Sequence, residues 1–364
     1  MRTKHIPLLA LAALLTVFTA SCNKENASPA PVAPQKQDEP VTIQLSVVPD
    51  APMTRATTED TEEEARVSAV EFLVFKQDGD SGSWIIDGFK RITGTTTTSM
   101  TLTQGARRIC AIVNPTRTCK NISTYNDLIY FPTMLKDQTM GNLTMYGSTN
   151  LTVTANTSTI SIPVNRMLAR LKIHKITNAL SNSVLASDNF AITRIFLSNV
   201  PAEAYPEDKS GFYTEYALTG IGDALSKSSG TLDATTEKPR VNAFIYKAFD
   251  TPVYINAGAS YSTAHSFYSF PKFDQGDYLS LIVEAKINSR FYTYPIRLEF
   301  PIQRNVSYEI TELVITRPGN PSDGDDTLTE DEARPIEFVT VDNINVSVKD
   351  WTLFLLGNDG TVEF

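Results

Sequence analysis

The sequence has very few of the side chains from which metal sites and thiol or histidine catalysis are built. Its 364 residues include only three cysteines and three histidines, which leaves little material for a zinc cluster or a catalytic base. The H-E-x-x-H, G-x-S-x-G, Walker A and complete G-x-G-x-x-G patterns are all missing. We therefore expect no enzyme, no metal site and no cofactor.

Basic residues are also in deficit. Lys and Arg total 32 against 41 Asp and Glu, which gives a net charge of −9. The basic footprint of a nucleic-acid-binding protein is thus missing, and no nucleic-acid partner is expected. Apolar residues nevertheless make up 41% of the chain, enough to bury a core and to exclude a wholly disordered chain. The length allows two domains plus tails.

The N-terminus has the pattern of an export signal. Two basic residues precede an apolar run at residues 6–18 that is too short to span a bilayer comfortably. The run ends in small residues directly before Cys22, which is typical of a bacterial lipobox. The sequence thus predicts a lipoprotein signal peptide at residues 1–21 and a Pro-rich tether at residues 22–40 that begins with lipidated Cys22. The alternative is an ordinary signal peptide with a chance cysteine.

Two cysteines remain beyond Cys22, and the sequence leaves their state open. An exported chain meets oxidising conditions, so Cys110 and Cys119 could form a disulfide. Equally, Cys110 lies inside the apolar, strand-like run at residues 109–113, where it would serve as a small buried side chain. Both alternatives stay open at this point.

Short apolar runs between turn residues recur from residue 41 onward and predict a mainly β protein. Residues 41–47 alternate strictly between apolar and polar side chains, as a half-buried strand should. Residues 121–135 are the best helix candidate, with Ser123 or Thr124 as the N-cap and Pro132 breaking the helix. Many short strands with few helices favour β-sandwiches, which we place at residues 41–200 and 201–364.

A polar, acidic segment separates the first two predicted strands. Residues 49–66 contain five carboxylates within six positions and two prolines, so we expect an exposed, mobile segment of the kind that proteases cut. Arg55 is a natural trypsin-like site, and Arg66 is a fallback that directly abuts the next strand. A solvated loop that is never cut is the alternative.

The chain ends in an unusually apolar stretch. A turn-rich acidic loop at residues 317–326 is followed by strand-like patterns at 336–341 and 344–348 and by an aromatic and leucine-rich run at 351–356. A chain end this apolar should be buried, either against its own domain or against a neighbouring molecule.

Several motifs, in their order along the chain, resemble the FimA-like major fimbrillins, the type V pilins of Bacteroidales. They lie at residues 22–24, 55–56, 107–114, 166–173, 304–310, 319–321 and 346–351. The resemblance runs along most of the chain and is most specific near the C-terminus. It implies a mainly β fold of two transthyretin-like β-sandwich domains in tandem, with few short helices.

The resemblance also implies a mechanism. A lipoprotein precursor reaches the cell outer membrane, an Arg-specific surface protease cuts between Arg55 and Ala56, and the first strand leaves its groove. A donor strand from the next subunit, within about residues 336–364, then fills that groove. The expected donor side chains are Val339, Val341, Ile344, Val346, Val348, Trp351 and Leu353.

On this interpretation the chain is a structural pilin subunit that polymerises into extracellular fimbriae and supports adhesion and biofilm formation. Its partners would be other copies of itself, anchor and tip subunits, and host or bacterial surface ligands. One alternative is a tip or accessory fimbrial adhesin. Another is a glycan-binding surface lipoprotein, which would show an exposed aromatic platform and no cut at Arg55.

Overall fold

The computed structural model describes most of the chain from residue 39 onward. The described residues are 39–49, 63–79, 81–180, 190–207, 216–218, 225–226, 244–273, 278–325, 328–334, 346–349, 351–355 and 361–363. Contacts group Asp38–Phe364 into one compact unit. Strands dominate this unit and its helices are short, which confirms the predicted fold class.

The first half of the unit is built around one large sheet. Its strands are β1 (Pro40–Pro49), β2 (Ala69–Gln77), β3 (Trp84–Thr93), β4 (Thr97–Thr103), β5 (Gly105–Val113), β6 (Thr133–Met134), β7 (Met145–Val153) and β8 (Thr159–Arg166). All except β6 join in the order β3-β2-β5-β7-β8-β1-β4. Inward side chains from both ends of this order share one apolar core, among them Ile43, Phe72 and Ile162. The sheet therefore folds over on itself as a sandwich.

The second half contains the remaining strands. They are β9 (Ala169–Ile173), β10 (Ile176–Asn178), β11 (Ala191–Ser198), β12 (Val200–Pro201), β13 (Glu203–Ala204), β14 (Tyr216–Leu218), β15 (Leu225–Ser226), β16 (Tyr246–Tyr254), β17 (Ser260–Tyr261), β18 (His265–Ser269), β19 (Ser280–Ile287), β20 (Arg290–Arg297), β21 (Val306–Ile310), β22 (Glu312–Ile315), β23 (Asn320–Ser322), β24 (Val346–Lys349), β25 (Trp351–Leu355) and β26 (Thr361–Glu363). The larger sheets have the orders β18-β9-β21-β25-β24, β16-β11-β19-β20-β23 and β17-β10-β22-β26. Two small sheets, β12-β14-β15 and β13-β6, complete the set.

The change of strand partners falls earlier than the expected domain boundary at residue 200. β9 and β11 were expected in the N-terminal domain, but Arg170 lies opposite Tyr268 and Ile192 lies opposite Ala285. The position of these two strands is thus decided by pairing between residues far apart in the chain. Because the contacts form one compact unit, the division into two domains stays a prediction.

The described residues contain two short α-helices. They are α1 (Tyr125–Ile129) and α2 (Glu330–Ala333), and a 3-10 turn follows α1 at Leu135–Asp137. The N-cap of α1 is Thr124, as expected, and its side chain accepts a hydrogen bond from the Asp127 N–H at 3.0 Å. The predicted helix at residues 121–135 is wrong in its length. Pro132 disfavours helical backbone at the residue before it, and β6 pairs with β13 instead.

Candidate assembly site

β1 lies inside its sheet and not at an edge. It pairs antiparallel with β4, where Val41 is opposite Leu102, and parallel with β8, where Leu45 is opposite Ile160. The strand predicted from local alternation at residues 41–47 is therefore present and has a ladder of backbone hydrogen bonds on each side. A segment that left this position would open two ladders at once.

The side chains of β1 alternate between core and solvent. Ile43, Leu45 and Val47 are at most 6% exposed and join the apolar core of the sheet. Ser46 between them points outward, with its Oγ 3.2 Å from Ser161 Oγ. Burying three such side chains contributes about 5–9 kcal/mol, at roughly 1.5–3 kcal/mol each. Without β1, an apolar slot would lie open between β4 and β8.

The C-terminal segment, where the structure describes it, pairs within its own chain. Four of the expected donor residues lie in the hairpin of β24 and β25: Val346, Val348, Trp351 and Leu353. β25 runs parallel to β21, with Leu353 opposite Ser307, and β26 runs parallel to β22. β24 and β26 are edge strands, and β25 lies directly inside β24. No described strand therefore pairs with this segment on its outer side.

Six further expected site residues lie outside the described residues. They are Cys22, Arg55, Ala56, Val339, Val341 and Ile344. Lipidation, cleavage and the upstream donor positions therefore stay predictions. The structure does describe the chain on both sides of the cleavage segment, because β1 ends at Pro49 and the chain resumes at Glu63.

Glu64, which follows the cleavage segment, has a buried carboxylate that the sequence analysis did not predict. Glu64 is 1% exposed, its Oε2 lies 3.1 Å from Arg170 Nη1, and its Oε1 accepts a hydrogen bond of 2.5 Å from the Tyr268 hydroxyl. The Glu64 carbonyl accepts a further bond of 3.2 Å from Arg166 Nε. The prediction that residues 49–66 are exposed is therefore wrong at Glu64, because these donors compensate the loss of water around its charge.

Arg170 connects Glu64 to a row of polar side chains on β9 and β21. Ser307 Oγ accepts a hydrogen bond of 2.9 Å from Arg170 Nε, and Glu309 Oε1 lies 3.4 Å from Arg170 Nη2. His174 Nε2 lies 2.7 Å from Glu309 Oε2. Burial alone would raise the pKa of Glu309, but its bond to His174 and the charge of Arg170 hold that pKa below its usual value.

Asn114, directly after β5, holds the backbone that follows Glu64. It is buried, and its φ of 51° lies in the left-handed region that asparagine tolerates better than most residues. Its Nδ2 donates to the Arg66 carbonyl at 2.8 Å, and its Oδ1 accepts from the Ser68 N–H at 2.8 Å. The asparagine that ends the motif at residues 107–114 thus fixes the entry of the chain into β2.

Cys110 and Cys119 are both buried and free in the structure. The disulfide considered for this pair is therefore not formed in the structure; Cys110 fits the alternative of a small buried side chain, and Cys119 is buried as well. The Tyr146 hydroxyl lies 3.6 Å from Cys110 Sγ. Burial raises the pKa of each thiol to about 12, which makes both poor nucleophiles at neutral pH.

Chemistry-bearing side chains are sparse in the described part of the chain. No group of three or more His, Cys, Asp and Glu side chains is placed there to hold a metal ion. His174 is engaged by Glu309, and His265 Nε2 lies 3.0 Å from the Tyr261 hydroxyl. None of the described helices is long and apolar enough to cross a membrane.

This fold is that of fimbrilins and related cell adhesion proteins. A fimbrilin from Porphyromonas gingivalis W83 is similar with a TM-score of 0.56 and 14% identity, over 89% of this chain and 97% of that chain. A candidate cell adhesion protein from Bacteroides eggerthii is similar with a TM-score of 0.57 and 15% identity, over 90% of this chain and 98% of that chain. A further candidate cell adhesion protein, from Parabacteroides distasonis, has a TM-score of 0.52 and 15% identity, over 73% and 85%. At these identities the likeness concerns the fold.

The sequence itself matches the family model of the major fimbrial subunit protein (FimA) at residues 40–194. The match begins with the first residue of β1 and ends within β11. A search of curated proteins finds no match. The resemblance to the FimA-like major fimbrillins is confirmed by the family match, and fold and sequence together support a fimbrial subunit or cell adhesion protein.

Proposed function

We propose that the chain is a structural fimbrial subunit that assembles by exchanging one β-strand for another. The observation that carries the proposal is the position of β1, which has a ladder on each side and three side chains in the core. The segment with Arg55 follows it directly. A cut after Arg55 would leave β1 held by non-covalent contacts alone, and a strand of matching pattern could replace it.

The replacement strand is the C-terminal segment of a neighbouring subunit, about residues 336–364. Apolar residues at Ile344, Val346 and Val348 have the same two-residue spacing as the three buried residues of β1. The outer position of β24–β26 in their sheets supports a segment that can leave its own chain. A head-to-tail contact of this kind does not close on itself and gives an open filament.

The precursor would be carried to the outer membrane by a lipid on Cys22, and an Arg-specific surface protease would release the subunit there. The product is an extracellular fimbrium that supports adhesion and biofilm formation. Its partners are other copies of this chain, anchor and tip subunits, and surface ligands of host or bacterial cells. An adhesin at the tip would share the strand-accepting slot but would need no donor segment.

Arg55→Ala tests the proposal. We expect a folded, lipidated precursor that is neither cut nor assembled, because β1 keeps its slot. Arg66→Ala is the matched control and should be processed and should assemble as the wild type does. In the wild type, removing 55 of 364 residues leaves 309, or about 34 of 40.1 kDa, with Ala56 at the N-terminus.

N-terminal sequencing of surface filaments and electron microscopy provide the measurements. Filaments of normal length from Arg55→Ala would refute the mechanism. Wild-type filaments whose subunits still begin at Cys22 would do the same, because β1 would then still belong to the subunit.

A further inference from the structure

Arg66 offers a second trypsin-like bond only eleven residues after Arg55, yet its backbone is tightly held. The side chain is exposed and lies beside Gly141. The carbonyl, however, accepts the 2.8 Å bond from Asn114 Nδ2, and the N–H donates to the Glu63 carbonyl at 3.4 Å. An exposed arginine therefore sits on a backbone whose carbonyl is bound to Asn114 and whose N–H closes a local turn with Glu63.

Glu64 adds a stronger hold two residues upstream. Its carboxylate is bound by Arg170 from β9 and by the Tyr268 hydroxyl from β18, and these two strands are direct neighbours in one sheet. Since charge-assisted bonds in buried surroundings are among the stronger ones, this segment is costly to lift from the sheet.

We propose that Glu64 and Asn114 form a processing stop that protects the Arg66–Val67 peptide bond from Arg-specific proteases. A protease binds several residues on each side of the bond it hydrolyses in extended form. Residues 64–68 could reach that form only if Glu64 left Arg170 and Tyr268, and if Asn114 released Arg66 and Ser68. The involvement of an Arg-specific surface protease rests on the proposed function. The protection of the Arg66–Val67 bond depends only on the contacts of Glu64 and Asn114.

Protection of the Arg66–Val67 bond would help to keep the mature subunit stable. Hydrolysis after Arg66 would remove residues 56–66 from the mature subunit. Because Glu64 is among them, the buried Arg170 would lose one of its carboxylate partners. Removing one member of a buried charge network is destabilising, because Arg170 stays buried and its charge is then balanced by Glu309, at 3.4 Å, without Glu64. A subunit that is cut only at Arg55 keeps Glu64. The bonds of Glu64 to Arg170 and Tyr268 then still connect the chain before β2 to the sheet that contains β9, β18 and β21.

Limited proteolysis of the full precursor by trypsin under native conditions tests the stop. The readout is release of the peptide 56–66, followed by mass spectrometry. We expect slow release from the wild type and release about tenfold faster or more from Glu64→Gln. Glu63→Gln alters the exposed neighbouring carboxylate and is the matched control, for which we expect the wild-type rate.

Two further measurements separate a local stop from general unfolding. Tyr268→Phe keeps the ring and removes one hydrogen bond to Glu64. It should therefore raise the release rate of the peptide 56–66, but by less than Glu64→Gln does. Cleavage at Arg290, which is exposed at the first position of β20 directly after the turn from β19, should not change in any variant.

Equal release rates from the wild type and Glu64→Gln would overturn the stop. So would an increase at Arg290 that parallels the increase at Arg66, because the effect would then be global. Either result leaves the proposed function standing, since β1 leaves whichever bond is cut. Conversely, filaments of Arg55→Ala whose subunits are uncut and still begin at Cys22 would refute the proposed function without altering the protection of Arg66, whereas Arg55→Ala filaments whose subunits begin at Val67 would count against the stop alone.

Discussion

Replacing Leu45 with alanine should weaken the precursor and leave the filament unchanged. Leu45 is fully buried in β1, and a Leu→Ala change at such a site costs about 2–5 kcal/mol. If cleavage after Arg55 discards residue 45 together with β1, as proposed, Leu45 contributes nothing to an assembled subunit. Ile162→Ala in β8 is the matched control, because Ile162 is equally buried in the same core and stays in both forms.

Urea unfolding of uncut chains, carried out in an Arg55→Ala background, measures the first effect. We expect both alanine variants to lower the unfolding midpoint. Dissolution of purified filaments in urea measures the second effect, and here only Ile162→Ala should differ from the wild type. If Leu45→Ala filaments dissolve as early as Ile162→Ala filaments, β1 remains in the assembled subunit and the reasoning fails.

Two further predictions concern the C-terminal strands and the Glu309 carboxylate. Deleting residues 336–364 should abolish filaments in electron micrographs while the remaining chain stays folded, because β24–β26 lie at the outer end of their sheets; a collapse of the melting temperature would instead assign the segment to the core. The fold lowers the pKa of Glu309 from 4.5, so its contribution to stability is complete above about pH 4.5 and is lost as the pH falls through the lower folded value. Glu309→Gln should therefore flatten the acidic limb of the urea midpoint plotted against pH, and an unaltered limb would contradict this cause.

Local patterns predicted the strands better than their partners. The alternation at residues 41–47 is visible in a short stretch of sequence, and β1 lies there. Its parallel pairing with β8 joins Ser46 to Ser161 across 115 positions, and no local pattern encodes such a register. The same limitation applies to β9 and β11, because no local pattern encodes their pairing with β18 and β19.

The burial of the Glu64 carboxylate could not be predicted from the acidic residues that surround it in the sequence. Five acidic residues in a short run indicate solvent exposure on average, and this average is wrong for Glu64. The partner that decides its burial, Arg170, lies 106 positions later. One indication was present, because Arg170 and Glu309 each stand inside strand-like apolar runs where an unpaired charge would be costly.

β4 has a single sheet neighbour among the described strands, and that neighbour is β1. When the slot between β4 and β8 is empty, β4 has no ladder of backbone hydrogen bonds to another described strand and keeps contacts such as the 2.6 Å hydrogen bond from Lys90 Nζ to the Ser99 carbonyl. Withdrawal of any strand from the slot is therefore coupled to fraying of β4, and the free energy of this local unfolding adds to the barrier for dissociation. A filament joined through such a slot would owe its lifetime to slow unfolding kinetics more than to the equilibrium affinity of one subunit for the next.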